Sequence, residues 1–217
     1  MVELGHTVRV FSARRDHGGP AQTALASSNA LRAELTVLPP SGETRALAKC
    51  VAASFLHVGW QRDERHLTSE LEHLLADGEF VAAVLPSLRD FQPDLLIARH
   101  AIFSLAGRDL AHAIARPCVL EVNAPLVEER RQYWGLTLDG IAEAADRTAF
   151  AGADLLVAVS EGVRSYLLRC GAPKDRVLVL SNGVDLARFH PGVDATAVRQ
   201  RYHLDDKVVV GFAGSLK

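Results

Sequence analysis

Apolar residues in this chain gather into short runs separated by longer stretches with a helical repeat. The runs are Val8–Phe11, Leu31–Pro39, Leu95–Ala98, Cys118–Val122, Leu155–Val159, Val177–Leu180 and Val208–Gly214. Runs of this kind, bounded by Gly, Pro, Asn and Asp, predict strands buried on both faces, the form parallel sheets take. Between them, Leu67, Leu71, Leu74 and Leu75 recur at helical spacing with charges on the opposite face. Gly78 is expected to break that helix, and Phe80–Phe91 to form another that Pro86 kinks or restarts. Further helices are expected at Leu105–Ala115, at about Asp139–Ala151 and after Ser160, with a polar segment at Glu128–Leu136. Strands alternating with helices predict an α/β fold: a mostly parallel sheet with helices on both faces.

The strand ends carry the chemistry. Arg99 and His100 follow one run, Glu121 and Asn123 close the next with Glu128 shortly after, Ser160-Glu161 follow the third, and Asn182-Gly183 the fourth. Open parallel sheets place ligands at the carboxyl ends of their strands, so these residues are expected along one crevice. Glu121, if buried, needs a partner, and Arg99 on the preceding strand can supply it. Asn182-Gly183 is a strong turn signal, because Gly takes φ > 0 freely and Asn tolerates it.

Composition narrows the classes. The chain has 217 residues, 48% hydrophobic and 23% charged, with a formal net charge of −2, which gives no sign of a nucleic-acid partner. Cys50, Cys118 and Cys170 are far apart and odd in number, the pattern of free thiols in a reducing compartment. No run reaches the ~20 apolar residues of a membrane span, and the first residues lack a signal-peptide pattern, so a cytoplasmic location is expected. Arg45, Lys49, Arg62 and Arg65 offer a basic helical face for peripheral contact with a membrane, or simply a solvated face. Val2–Leu4 reads as a helix tail capped by Gly5, and Gly18-Gly19 belongs to a loop without a dinucleotide or P-loop fingerprint.

Ala158-Val159-Ser160-Glu161-Gly162 approaches the G-x-S-x-G elbow of α/β-hydrolases, with Asp185 and His190 downstream as triad partners. Ala at the first position and the close spacing of Asp185 and His190 oppose that reading. The alternative role for Ser160 is N-cap of the following helix.

Six pieces together resemble the N-terminal domain of glycosyltransferase family 4. They are Gly5-His6 with Val8; Pro93-Asp94-Leu95-Leu96 leading to Arg99-His100; Glu121-Val122-Asn123-Ala124-Pro125-Leu126 with Glu128; Ala153-Asp154 through Ser160-Glu161; Asn182-Gly183-Val184-Asp185 with Phe189 and Pro191; and Gly211–Lys217. They run in family order over nearly the whole chain. The resemblance implies a Rossmann-like half of a GT-B fold. Residues 1–206 would form the acceptor-side domain, and 207–217 the first strand and loop of a donor-binding domain. The family's first strand and glycine-rich loop would precede Gly5. Asn123 stands where many members have His, and Ser215 where many have Arg.

The activity implied is retaining transfer of a sugar from a nucleotide-sugar donor, usually without a metal and with no bound cofactor. The leaving diphosphate is then stabilised by basic side chains and helix N-termini. The resemblance assigns Arg99, His100, Glu121, Asn123 and Glu128 to the acceptor side. It assigns Ser160, Glu161, Asn182, Gly183, Gly214, Ser215 and Lys217 to the interdomain cleft. A glycan, lipid or small-molecule acceptor is expected, at the inner face of the membrane if a lipid. The donor-binding domain is expected in cis or in trans. By itself the chain would be an inactive fragment or the non-catalytic subunit of a split transferase.

Overall fold

The computed structural model describes residues 5–13, 33–57 and 64–212. The expectations for Val2–Leu4, Gly18-Gly19, Arg62, Gly214, Ser215 and Lys217 lie outside the described residues. The chain divides into two units, residues 1–180 and 181–217, ahead of the 206/207 boundary expected from the sequence.

Among the described residues, the first unit holds six parallel strands in two ladders. Strand β1 (Val8–Ser12) pairs with β2 (Ala33–Val37). Strands β3 (Leu96–Arg99), β4 (Cys118–Val122), β5 (Leu155–Ala158) and β6 (Val177–Val179) form the second ladder in that order. Helices α1 (Gly42–His57), α2 (Glu64–Phe91), α3 (Ala106–Ile114), α4 (Leu126–Tyr133), α5 (Asp139–Gly152) and α6 (Glu161–Arg169) complete the unit.

Alternation along the strands decides which face is covered. Leu120, Val122, Leu156 and Ala158 point to one face and pack with Ala149 and Phe150 of α5 and with Val163, Tyr166 and Leu167 of α6. Val119, Glu121, Leu155 and Val157 take the other face by the same period of two, together with Ile97 and Leu178, which are about half exposed. On the covered side α3 approaches closely at Gly107, where a Cβ would lie 2.5 Å from the Cβ of Ala98.

Helix α2 runs unbroken through Gly78 and Pro86, contrary to the expected break. At 1.5 Å per residue its 28 residues span about 42 Å. Burial on both sides of the two breakers overrides local propensity. Leu67 and Leu71 pack with Ala48 and Ala52 of α1, while Val84 and Leu88 pack with Leu110 of α3. Phe11 of β1 and Leu96 of β3 join the second cluster, so α2 serves both ladders. The polar segment at Glu128–Leu136 is mostly helix as well, because α4 anchors itself through buried Val127. Among the described residues no helix is long and apolar enough to cross a membrane.

Among its described residues the second unit contains one short helix, α7 (Thr196–Arg201), tied down by Arg199, whose guanidinium donates to the carbonyls of Leu204 and Lys207. The strand expected at Val208–Gly214 does not form over its described part, 208–212. A strand exists only as part of a ladder, and among the described residues no strand pairs with it; Val208 and Val210 are 97% and 94% exposed.

Candidate active site

Register brings the expected residues of the first unit to one end of the sheet. Arg99 lies level with Glu121, and Val122 with Ala158. Arg99, His100, Asn123 and Ser160 therefore leave three adjacent strands at the same edge, as parallel strands require.

Arg99 and Glu121 do meet, with Nη2 3.6 Å from Oε1, but their side chains are 73% and 35% exposed. The pair lies on the open surface, so it contributes about 0–1 kcal/mol and is no buried ion pair. Glu128 accepts from Arg169 at 3.0 Å, linking α4 to α6. Glu161 accepts from Arg164 at 3.4 Å.

His100 turns inward, away from the acceptor-side surface expected of it. Its side chain is 2% exposed, and Nε2 lies 2.9 Å from Oδ1 of Asp146 on α5. The hydroxyl of Tyr166 donates to the other oxygen of Asp146. Desolvation, reinforced by that bond, pushes the Tyr166 phenol far above its ordinary range. Phe150 packs between the two rings, 5.1 Å from His100 and 6.1 Å from Tyr166. Nδ1 of His100 is buried with no partner. The sequence did carry a signal for Asp146. It falls on the stripe of Ala142, Ala145, Ala149 and Phe150, and an acid on the apolar face of a helix needs a buried partner.

Asn123 is half-buried as a residue, yet both polar atoms of its amide, Nδ2 and Oδ1, are buried and unpartnered. With His100 Nδ1 these are the unsatisfied buried side-chain atoms among the described residues. Both residues stand at the carboxyl ends of neighbouring strands. Native folds pair nearly every buried polar group, so each of these residues is a place where water or another group would complete the bonding.

Ser160 is the N-cap of α6, its Oγ accepting from the N–H of Val163 at 3.3 Å. In the second unit, Asp185 accepts from the N–H groups of Ala187 and Arg188, and His190 Nδ1 from that of Gly192. All three members of the supposed hydrolase triad are thus engaged in local caps and turns. Asn182 and Gly183 belong to the second unit and are exposed.

The starts of the helices carry negative charge. Asp77 of α2 accepts from Leu105 N at 2.8 Å and from Ser104 Oγ, just before α3. Glu70 of α2 accepts from Thr137 N and from Leu138 N, the latter at 2.6 Å, at the start of α5. Glu128 and Glu129 lie in the first turn of α4, and Glu161 in that of α6. A helix N-terminus is the usual cradle for a phosphate; here those of α3 and α5 already hold a carboxylate, and those of α4 and α6 carry acidic residues in the first turn. Among the described residues no group of three or more His, Cys, Asp or Glu is placed to hold a metal ion.

Residues 1–188 match the family described as Glycosyltransferase Family 4. The chain belongs to glycosyltransferase family 4. It is 30% identical over 134 residues to a GDP-mannose-dependent alpha-mannosyltransferase of Mycobacterium tuberculosis (strain CDC 1551 / Oshkosh), a match covering 61% of this chain and 35% of that protein. The Anabaena protein Alr3699/HepE, solved in complex with UDP, superposes with a TM-score of 0.54 at 16% identity, covering 92% of this chain and 50% of that one. The chain therefore spans about a third to a half of the relatives it matches. The likeness in fold is that of one Rossmann-like half of a GT-B glycosyltransferase. Within this family-4 half, Asn123 and Ser160 stand at the strand ends, His100 is buried against Asp146, and Arg99, Glu121, Glu128 and Glu161 are bound into ion pairs.

Proposed function

We propose that this chain is the acceptor-side half of a retaining glycosyltransferase that moves a sugar from a nucleotide-sugar donor to an acceptor hydroxyl. The observation that carries the reading is the crevice edge at the ends of β3, β4 and β5, in a chain whose family match covers residues 1–188. In this reading the rim around Asn123 binds the acceptor and aims its hydroxyl. The donor, a substrate and not a resident cofactor, binds chiefly to a second domain supplied in cis or in trans. Stabilising the leaving diphosphate requires cations or open helix N-termini. Carboxylates accept from the N-termini of α3 and α5, and acidic residues stand in the first turns of α4 and α6, which supports assigning that task elsewhere.

The chain alone is then expected to give no turnover, because differential stabilisation of the transition state needs groups from the donor half. The test is an assay of transfer and hydrolysis over a panel of UDP- and GDP-hexoses. It is run with the purified 217-residue chain and with the chain joined to a family-4 donor-binding domain. Activity in the joined protein alone is the expected result. Turnover by the isolated chain, or none in either, overturns the proposal.

A further inference from the structure

We propose that the small cavity lined by His100 is a binding site for one ordered water, which donates to Nδ1 of that histidine and completes the buried chain His100–Asp146–Tyr166. The site belongs to the interior of the first unit, and it stands or falls independently of the transferase reading.

The protons of the chain have a fixed direction. Desolvation and the bond to Asp146 push the Tyr166 phenol far above its ordinary range, so it keeps its proton and donates to Asp146. The other oxygen of Asp146 lies 2.9 Å from Nε2 of His100. A carboxylate only accepts, so Nε2 carries the proton and Nδ1 of the neutral ring is left as an acceptor. The His100 side chain is 2% exposed, and Nδ1 has no protein partner. Burying an acceptor without a donor is costly, so the chain is incomplete at this one atom.

The cavity has the size and the groups that a water needs. Its volume is about 20 Å³. A water needs ~10–15 Å³, whereas sites for organic ligands run to ~300 Å³ or more. Gly107 lets α3 ride directly on the sheet at this wall, where a Cβ would lie 2.5 Å from the Cβ of Ala98 and 3.8 Å from Sγ of Cys118. Ser104 and Cys118 share the lining with His100. The Ser104 hydroxyl gives its proton to Asp77, so its oxygen can accept from a water. Burial pushes the Cys118 pKa up to about 11, which keeps it a thiol and a weak donor. A water that donates to Nδ1 and to Ser104 Oγ and accepts from Cys118 makes three bonds, the usual number for a buried water. An ion suits the site less well. Arg99 and Arg108 also line it and repel a cation, and an anion without a proton has nothing to donate to Nδ1.

The experiment uses the full 217-residue chain with 13C-labelled alanine methyls and 15N-labelled histidine. Ala149 and Ala153 line the cavity and are 5% and 1% exposed, so bulk solvent barely reaches their methyls. Water-selective NOE spectra are expected to show cross-peaks from water to at least one of the two. A two-bond 1H–15N spectrum near pH 8 is expected to place the His100 proton on Nε2. His100→Gln keeps a donor for Asp146 and removes the Nδ1 acceptor, so the water cross-peaks should disappear. Ser104→Ala removes the nearest exchangeable hydroxyl and should leave them in place, because Nδ1 still holds the water.

The proposal is overturned by folded wild-type protein in which neither methyl sees water, or by a His100 proton found on Nδ1. It is equally overturned if the cross-peaks survive unchanged in folded His100→Gln, which would detach the water from Nδ1. Their loss in Ser104→Ala would trace them to the hydroxyl and sink the water site. Should His100→Gln fail to fold, the wild-type tautomer and the Ser104→Ala spectra decide.

Discussion

Glu70 and Asp77 stand two turns apart on α2, and each accepts backbone N–H groups at the start of a different helix. Glu70 holds the start of α5 and Asp77 the start of α3, the helices that flank the rim on the covered face of the sheet. Glu70 is 2% exposed, so its carboxylate is a structural cap supplied from another helix.

Glu70→Ala is expected to lower stability by about 2–4 kcal/mol, because it leaves the N–H groups of Thr137 and Leu138 buried and unpaired. Glu70→Gln keeps a carbonyl acceptor and should cost about half as much. Urea unfolding followed by circular dichroism measures both, and equal losses would count against the cap.

Gly107→Ala is expected to destabilise by about 1–3 kcal/mol, since the new methyl would sit 2.5 Å from the Cβ of Ala98 and force α3 off β3. Gly78→Ala on α2 meets nothing within 4 Å and should stabilise by up to about 1 kcal/mol. Opposite shifts in Tm check the pair.

Glu79 gives the acid limb a defined sign. Thr44 Oγ1 donates to its carboxylate at 2.8 Å and Ser41 N at 3.2 Å, and these bonds hold its pKa below the ordinary 4.5. The stability it contributes is complete above 4.5 and is lost as pH falls through the lowered value. Asp77 runs the other way. Burial raises its pKa above 3.8, so its contribution is complete below 3.8 and declines as pH rises through the raised value. Glu79→Gln should flatten the fall in stability below about pH 4.5, and Asp77→Asn should steepen it. Unfolding midpoints between pH 3 and pH 6 decide.

The three thiols should react at different rates. Cys50 is exposed, whereas burial pushes Cys118 up to about 11 and raises Cys170 as well. At pH 8, iodoacetamide should modify Cys50 first and reach Cys118 only on unfolding. Mass spectrometry of the labelled peptides reads the order, and early labelling of Cys118 would contradict its burial.

Much of the fold was legible because the strands are short apolar runs whose partners are their neighbours in sequence. Leu96–Arg99, Cys118–Val122 and Leu155–Ala158 fall where the pattern places them. Helix α2 was misread because Gly78 and Pro86 are local signals, whereas Leu67, Leu71, Val84 and Leu88 are held by tertiary burial. The strand expected at Val208–Gly214 is absent over 208–212 because a β pattern becomes a strand only where a ladder forms. At the site, the pattern located Arg99, Asn123 and Ser160 at strand ends. It could not say that His100 points inward, because that depends on Asp146 and Tyr166, which lie 46 residues from His100 and 20 residues from Asp146 respectively along the chain.

The separation of the six strands into two ladders bears on how the protein behaves in concentrated solution. Among the described residues no strand pairs with the outer side of β3, next to the half-exposed Ile97. Bare margins of this kind recruit one another. Clumping that grows with concentration, and eases when a short β-forming peptide shields the margin, is the behaviour such an architecture entails.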